Sequence, residues 1–178
     1  MAKLILLDRD GVINFDSPEY IKDPGEWRPL PGSVNAIVHL RSAGYLVDIC
    51  SNQAGVARGK LSGADLDAID AKMANVLSAS GTRLNAVHYC PHQPSDACEC
   101  RKPQPGMLLA AMQELGIPAE ETLFVGDSLR DVQAALAAHC QPVLVRTGNG
   151  RRAERATTMP AQLPVYDDLA QFVAALLS

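Results

Sequence analysis

Lys3-Leu4-Ile5-Leu6-Leu7-Asp8-Arg9-Asp10-Gly11-Val12-Ile13-Asn14 is the stretch that decides the fold. An unbroken apolar run ends abruptly on two carboxylates two positions apart. Continuous apolar runs mark strands buried on both faces, as in parallel sheets, whereas a sheet with one wet face alternates. Ligands of open α/β sheets bind at the carboxyl ends of strands, which is where Asp8 and Asp10 fall. Gly11 permits a tight turn that lets both side chains face one crevice. Crowded carboxylates repel, so a cation must lie near them or one must hold a proton. Either outcome is chemically useful, since one group can attack while its neighbour gives and takes protons. A bare Asp-x-Asp fits a solvated turn or an unrelated metal site equally well, so the surrounding chain has to decide.

Moving outward, residues 45–50, 122–125 and 142–145 repeat the buried-strand pattern, and 85–89 and 165–166 do so more weakly. Helical patterns lie between them, over 34–42, 64–79, 106–115, 129–138 and 168–177. Ser33 and Ser62 are candidate caps, and Gly44, Gly81 and Gly116 stand where helices should stop. Strands alternating with helices throughout predict a doubly wound α/β fold with a mainly parallel sheet. The 178 residues suit one domain, 1–178, with a full core. Two stretches break the alternation, 14–32 and 90–104. Long irregular loops inside a compact domain usually carry function.

Three further polar motifs each follow a strand of their own. Ser51-Asn52-Gln53 offers a hydroxyl and amides. Arg101-Lys102-Pro103 sets two cations before a helix, suited to neutralising a phosphoryl group. Gly126-Asp127-Ser128-Leu129-Arg130-Asp131 adds two carboxylates. Singly these read as a capping serine, a surface cation pair and a capping aspartate; their joint order is what such bland readings explain badly.

In that order the motifs resemble the haloacid dehalogenase (HAD) superfamily of phosphatases, over residues 8–131. Within it, Ser51 to Gly59 and the run from Cys90-Pro91-His92 to Cys98-Glu99-Cys100-Arg101-Lys102-Pro103 are most similar to phosphatases of heptose bisphosphates, with histidinol-phosphate phosphatases nearby. The resemblance implies a Rossmann-like HAD fold and a Mg²⁺-dependent phosphatase working through a phospho-aspartate. Asp8 would attack phosphorus, Asp10 would protonate the leaving alkoxide and then activate water, and Ser51, Arg101 and Lys102 would complete the catalytic set. Asp8, the backbone carbonyl of Asp10, and Asp127 would hold Mg²⁺, with Asp131 orienting Lys102 or a metal-bound water. Substrate contacts are expected from Asp8, Arg9, Asp10, Ser51, Asn52, Gln53, Ala54, Arg101, Lys102 and Ser128. The spacing between motifs leaves no room for a separate cap domain. The 14–32 loop, with Asp16, Ser17, Glu19, Tyr20 and Trp27, is therefore the candidate for gripping sugar hydroxyls, although Tyr20 and Trp27 also suit plain packing.

Five cysteines are present, and three crowd into Cys90-x-His92-x₅-Cys98-x-Cys100. Three thiolates and an imidazole make a closed tetrahedral zinc set with no open position, hence structural Zn²⁺ in a zinc-binding loop. An odd cysteine count argues against a disulfide framework. A net charge of −4 without a basic stripe makes nucleic acid an unexpected partner. The apolar runs are far below the ~20 residues of a membrane span, and no leader is read after Met1. A cytoplasmic monomer acting on a small sugar phosphate is expected. A phospho-accepting signalling module is the rival from another class; such modules carry the aspartate on a middle strand, whereas Asp8 ends the first.

Overall fold

A computed structural model describes residues 3–178; the start at Met1, read above as carrying no leader, lies outside the described residues. Six strands, β1 (Leu4–Leu7), β2 (Leu46–Asn52), β3 (Val87–Cys90), β4 (Thr122–Gly126), β5 (Gln141–Val145) and β6 (Val165–Tyr166), form one sheet. Their order is β3-β2-β1-β4-β5-β6 and every pairing is parallel. The helices are α1 (Ser33–Ser42), α2 (Gly63–Ala79), α3 (Gly106–Leu115), α4 (Leu129–Ala137), α5 (Gly150–Ala153) and α6 (Leu169–Leu176). This is the doubly wound order, with its switch point between β1 and β4, where connections leave to opposite sides and open a crevice.

β1 is central, and all four of its side chains are buried. Ile5 and Leu7 join the core under α1, α2 and α6; Leu4 and Leu6 join the core under α3 and α4. An apolar residue at every position is thus what a strand with helices on both faces requires. Ser62 caps α2 through a reciprocal box with Asp65, and Gly116 closes α3 in the left-handed region at φ +63°. Ser33 departs from the expected role. Gly32 is the residue before α1, and the Ser33 hydroxyl instead lies within donating distance of two carbonyls, Ile13 O (2.6 Å) and Leu30 O (2.9 Å), which share its one proton and tie the 14–32 loop to its own root.

That loop returns on itself through Phe15 N–H to Arg28 O and Leu30 N–H to Ile13 O. Trp27, only 2% exposed, packs it into the core, so the packing role prevails for this residue. The 90–104 loop contains a short 3₁₀ turn, Pro94–Asp96. Among the described residues these two loops are the main departures from βα alternation, and both lie at the carboxyl edge of the sheet.

Because Leu6 is fully buried on the central strand, Leu6→Ala should cost about 2–5 kcal/mol, read as a lower urea midpoint with unchanged slope. Leu136→Ala, at a side chain 48% exposed, should stay within about 0.5 kcal/mol. Equal effects would contradict a β1 packed on both faces.

Candidate active site

Strand ends bring the four polar motifs together. Asp8 and Asp10 follow β1, Ser51 and Asn52 close β2, and Asp127 follows β4, while Lys102 arrives from the 90–104 loop. They line a crevice of about 290 Å³ that also includes Asp16, Ser17, Gln53, Ala54, Arg101, Ser128 and Asp131. The volume is at the small end for small-molecule clefts, so a large ligand must leave its far end at the rim.

Lys102 sits at the base, 1% exposed. Its Nζ lies 2.9 Å from Asp8 Oδ2 and 2.6 Å from Asp131 Oδ1. Burial alone would favour a neutral amine, but Asp131 and Asp8 outweigh it and hold the ammonium above its usual range. The backbone of Lys102 is gripped by the Asn52 amide, which donates to Lys102 O and accepts from Lys102 N–H, both at 3.0 Å. Asp131 also accepts from Ser128 N–H (3.0 Å) and Oγ (2.6 Å), fixing it at the start of α4.

Asp10 is surrounded by donors. Arg9 forks onto its two oxygens (3.0 and 3.1 Å), Asn14 Nδ2 reaches one at 2.8 Å, and Gln53 Nε2 reaches the other at 2.8 Å. Burial pushes this carboxyl up, yet Arg9 and the hydrogen bonds from Arg9, Asn14 and Gln53 prevail and hold it below the usual range. Asp8 behaves oppositely: burial, reinforced by Asp131 and Asp10 against Lys102, pushes it up to about 6.

Asp127 is packed between two glycines. Gly11 (φ +82°) and Gly148 (φ +55°) approach so closely that a side chain on either would overlap its carboxylate. Asn149 N–H donates to Asp127 Oδ2 at 2.7 Å, and Asn149 Nδ2 lies between Asp127 Oδ2 (3.3 Å) and Asp16 Oδ2 (3.2 Å). Burial, with Asp131 and Asp8 adding to it, still pushes Asp127 up to about 8. Oxygens of Asp8, Asp127 and Asp131 all lie within 4.8 Å of one another, a set able to hold a cation.

The sulfurs and imidazole of the second cluster are equally well gathered. Cys90 Sγ is 3.6 Å from Cys98 Sγ and 3.2 Å from Cys100 Sγ, with Cys98 to Cys100 at 3.5 Å. His92 Nδ1 lies 3.7 Å from Cys90 and 3.4 Å from Cys100. A tetrahedron with Zn–S bonds of about 2.3 Å has sulfur–sulfur edges of about 3.8 Å, so the four donors fit zinc with little adjustment.

Known proteins match this chain along its whole length. A D-glycero-beta-D-manno-heptose-1,7-bisphosphate 7-phosphatase of Pseudomonas aeruginosa is 45% identical, covering 98% of this chain and 97% of the relative. The crystal structure of the D,D-heptose 1,7-bisphosphate phosphatase of Bordetella bronchiseptica, complexed with magnesium and phosphate, superposes with a TM-score of 0.95 at 46% identity, covering 98% of each chain. The chain belongs to the heptose-bisphosphate phosphatase family. A second member, from Burkholderia thailandensis, superposes at TM-score 0.79 with 39% identity over 99% of each chain. A HAD-hydrolase-like family model matches residues 99–172, setting the family within that superfamily.

Most residues singled out in the sequence meet in the family crevice, with three departures. Arg9 is wholly buried, and its side chain turns beneath the crevice onto Asp10 and Tyr89 instead of lining it. Glu19 lies in a neighbouring groove with Phe15, Lys22 and Arg28. Asn52 lines the crevice, but its amide is engaged by Lys102. Conversely, Arg58, Arg130 and Asn149 line the crevice and carried no assigned role. Asn149 was detectable in principle, since Thr147-Gly148-Asn149 follows β5 as the other motifs follow their strands.

Protein purified without chelator under reducing conditions should contain one zinc per chain by elemental analysis. Cys98→Ser should lower that content and open the 90–104 loop to proteolysis. Full-length protein without zinc would contradict a four-donor site.

Proposed function

We propose that this protein removes the 7-phosphate of D-glycero-beta-D-manno-heptose 1,7-bisphosphate through a phospho-aspartate on Asp8, as a single-domain enzyme. The observation that carries the chemistry is the buried Lys102 ammonium beside Asp8, at the base of a crevice that also gathers Asp10 and Asp127. The substrate follows from the relatives, which share nearly the full chain. The product, heptose 1-phosphate, would feed nucleotide-activated heptose for lipopolysaccharide.

Magnesium fits the donor set. Asp8, Asp127 and the backbone carbonyl of Asp10 are hard oxygen donors, and oxygens of Asp8, Asp127 and Asp131 gather within 4.8 Å of one another. When bound, Mg²⁺ supplies positive charge to the phosphoryl oxygens. The remaining work belongs to the protein's own groups. An Asp8 oxygen bonds to phosphorus as the bond from phosphorus to the C7 oxygen breaks, and Asp10 gives that oxygen its proton. The negative phosphoryl group arriving beside Asp10 favours the protonated carboxyl, against the pull of Arg9. Water then attacks the same phosphorus, passes a proton to Asp10, and releases phosphate and the Asp8 carboxylate. Ser51 and Lys102 hold the phosphoryl oxygens throughout, and Asp131 keeps Lys102 aimed.

The small crevice leaves the sugar's far end at a rim that carries Arg58, Arg101 and Arg130. Such a rim suits a second phosphate and gives nothing to the cationic amine of histidinol phosphate. The enzyme is read as a cytoplasmic monomer; among the described residues no helix is long and apolar enough to cross a membrane.

Asp8→Asn should abolish turnover with an unchanged circular dichroism spectrum, because an amide cannot serve as the nucleophile. Asp10→Asn should lose about 10²–10⁴-fold in rate. Near-normal turnover by folded Asp8→Asn protein would sink the covalent route. On the heptose bisphosphate, ³¹P NMR should show the primary 7-phosphate lost and the anomeric phosphate kept. Histidinol phosphate should be worse in kcat/KM by roughly 10- to 150-fold, the worth of one charge-assisted contact. Anomeric cleavage first, or preference for histidinol phosphate, would overturn the substrate.

A further inference from the structure

Arg9 poses a physical problem that the reaction above does not answer. Its guanidinium is fully buried, and a buried charge is stable only when paired and hydrogen-bonded on all sides. Two of its nitrogens fork onto Asp10, and the third, NH1, points the other way, 3.2 Å from Tyr89 Oη on β3. The Tyr89 ring also lies under the guanidinium, 5.5 Å from its centroid. Tyr89 Oη in turn donates to Asp70 Oδ1 on α2. Four side chains from the β1 loop, β3 and α2 therefore form one continuous chain, running from the crevice to α2.

We infer that Arg9, Tyr89 and Asp70 form a positioning relay that sets the Asp10 carboxylate in the orientation from which it exchanges protons with the leaving group. The inference rests on the proton-transfer role proposed for Asp10. A guanidinium fork matches a carboxylate in one plane only, so whatever fixes the plane of Arg9 fixes the plane of Asp10. Arg9 has no freedom of its own: the tyrosine ring sets its face and the tyrosine hydroxyl sets its rotation. Asp70 keeps that hydroxyl donating outward, leaving its lone pair for Arg9. Gln53, from the crevice, and the buried Asn14 also hold the Asp10 oxygens, yet neither touches the guanidinium. Within Arg9-Asp10, the adjacent pair on the β1 loop, the arginine thus acts from below on the aspartate that meets the substrate. None of the three relay residues lines the crevice, which makes them positioning rather than catalytic residues.

A leaving-group comparison tests the relay. Sugar alkoxides leave only with a proton, whereas p-nitrophenolate leaves without one, so kcat/KM on the two substrates separates proton donation from phosphoryl transfer. Tyr89→Phe, which keeps the ring and removes the hydroxyl, should lose about tenfold in kcat/KM on the heptose bisphosphate and under about threefold on p-nitrophenyl phosphate. Asp70→Asn should show a smaller loss of the same pattern, and it decides the matter if Tyr89→Phe does not fold. Asp10→Asn is the control and should show the largest split. A split in Asp10→Asn with wild-type ratios in both relay variants would overturn the relay. Equal losses on both substrates would also overturn it, as the mark of a merely structural role. Absence of a split in Asp10→Asn itself would instead remove the proton-transfer role on which the relay depends.

Discussion

Lys102 Nζ lies between Asp8 and Asp131, at 2.9 and 2.6 Å, almost without solvent. The crevice depends on this contact, because four carboxylates, Asp8, Asp10, Asp127 and Asp131, converge on a space where each would otherwise repel the rest. Lys102 and Arg9 set two positive charges against those four carboxylates and leave an excess, while burial, with neighbouring carboxylates adding to it, pushes Asp8 and Asp127 up. Such an excess is what a site for a divalent cation and a phosphoryl group needs: attractive to the metal when empty, balanced when full. Removing Lys102 would therefore leave buried like charges facing one another, a larger disturbance than the loss of one substrate contact.

Three separate parts of the structure serve that lysine. The 90–104 loop delivers it two residues after Cys100, so the cluster of Cys90, His92, Cys98 and Cys100 sets the loop that carries it. The Asn52 side chain, at the end of β2, mimics a neighbouring strand and grips the Lys102 backbone in both directions. Asp131 is held by Ser128 at the start of α4. Each support lies at the carboxyl edge of a parallel sheet whose central strand is buried on both sides, and rigid packing below is what keeps polar groups above in place.

The sheet, five of the helices and most crevice residues were legible in the amino-acid order because their signals are local. An apolar run followed at once by Asp8-x-Asp10, or by Gly126-Asp127, states strand and site within a few residues. What escaped depends on long-range geometry. Arg9 was expected at the substrate through the family resemblance, but a residue between two that face the crevice points beneath it, here onto Asp10 and Tyr89. Asn149 enters from a segment outside the quoted motifs, Arg58 and Arg130 stand within them but reach the crevice only as those turns fold, and α5 is a four-residue helix too short to show periodicity. The Ser33 hydroxyl was expected to cap α1, but the carbonyls of Ile13 and Leu30 compete for it once the 14–32 loop folds back. Trp27 and Tyr20 divide as tertiary packing dictates, the first into the core and the second to the crevice beside Arg58.

The central claim is that phosphate passes through a covalent bond to Asp8, and chemical trapping tests it most directly. Protein quenched during turnover of the heptose bisphosphate, treated with borohydride to reduce an acyl phosphate, and digested should yield homoserine in place of Asp8 in the peptide that contains Leu7-Asp8-Arg9. The modification should be absent without substrate. Reduction at Asp10 or Asp127 instead, or an unmodified Asp8 peptide from enzyme trapped at saturating substrate with a burst of product already released, would contradict the account.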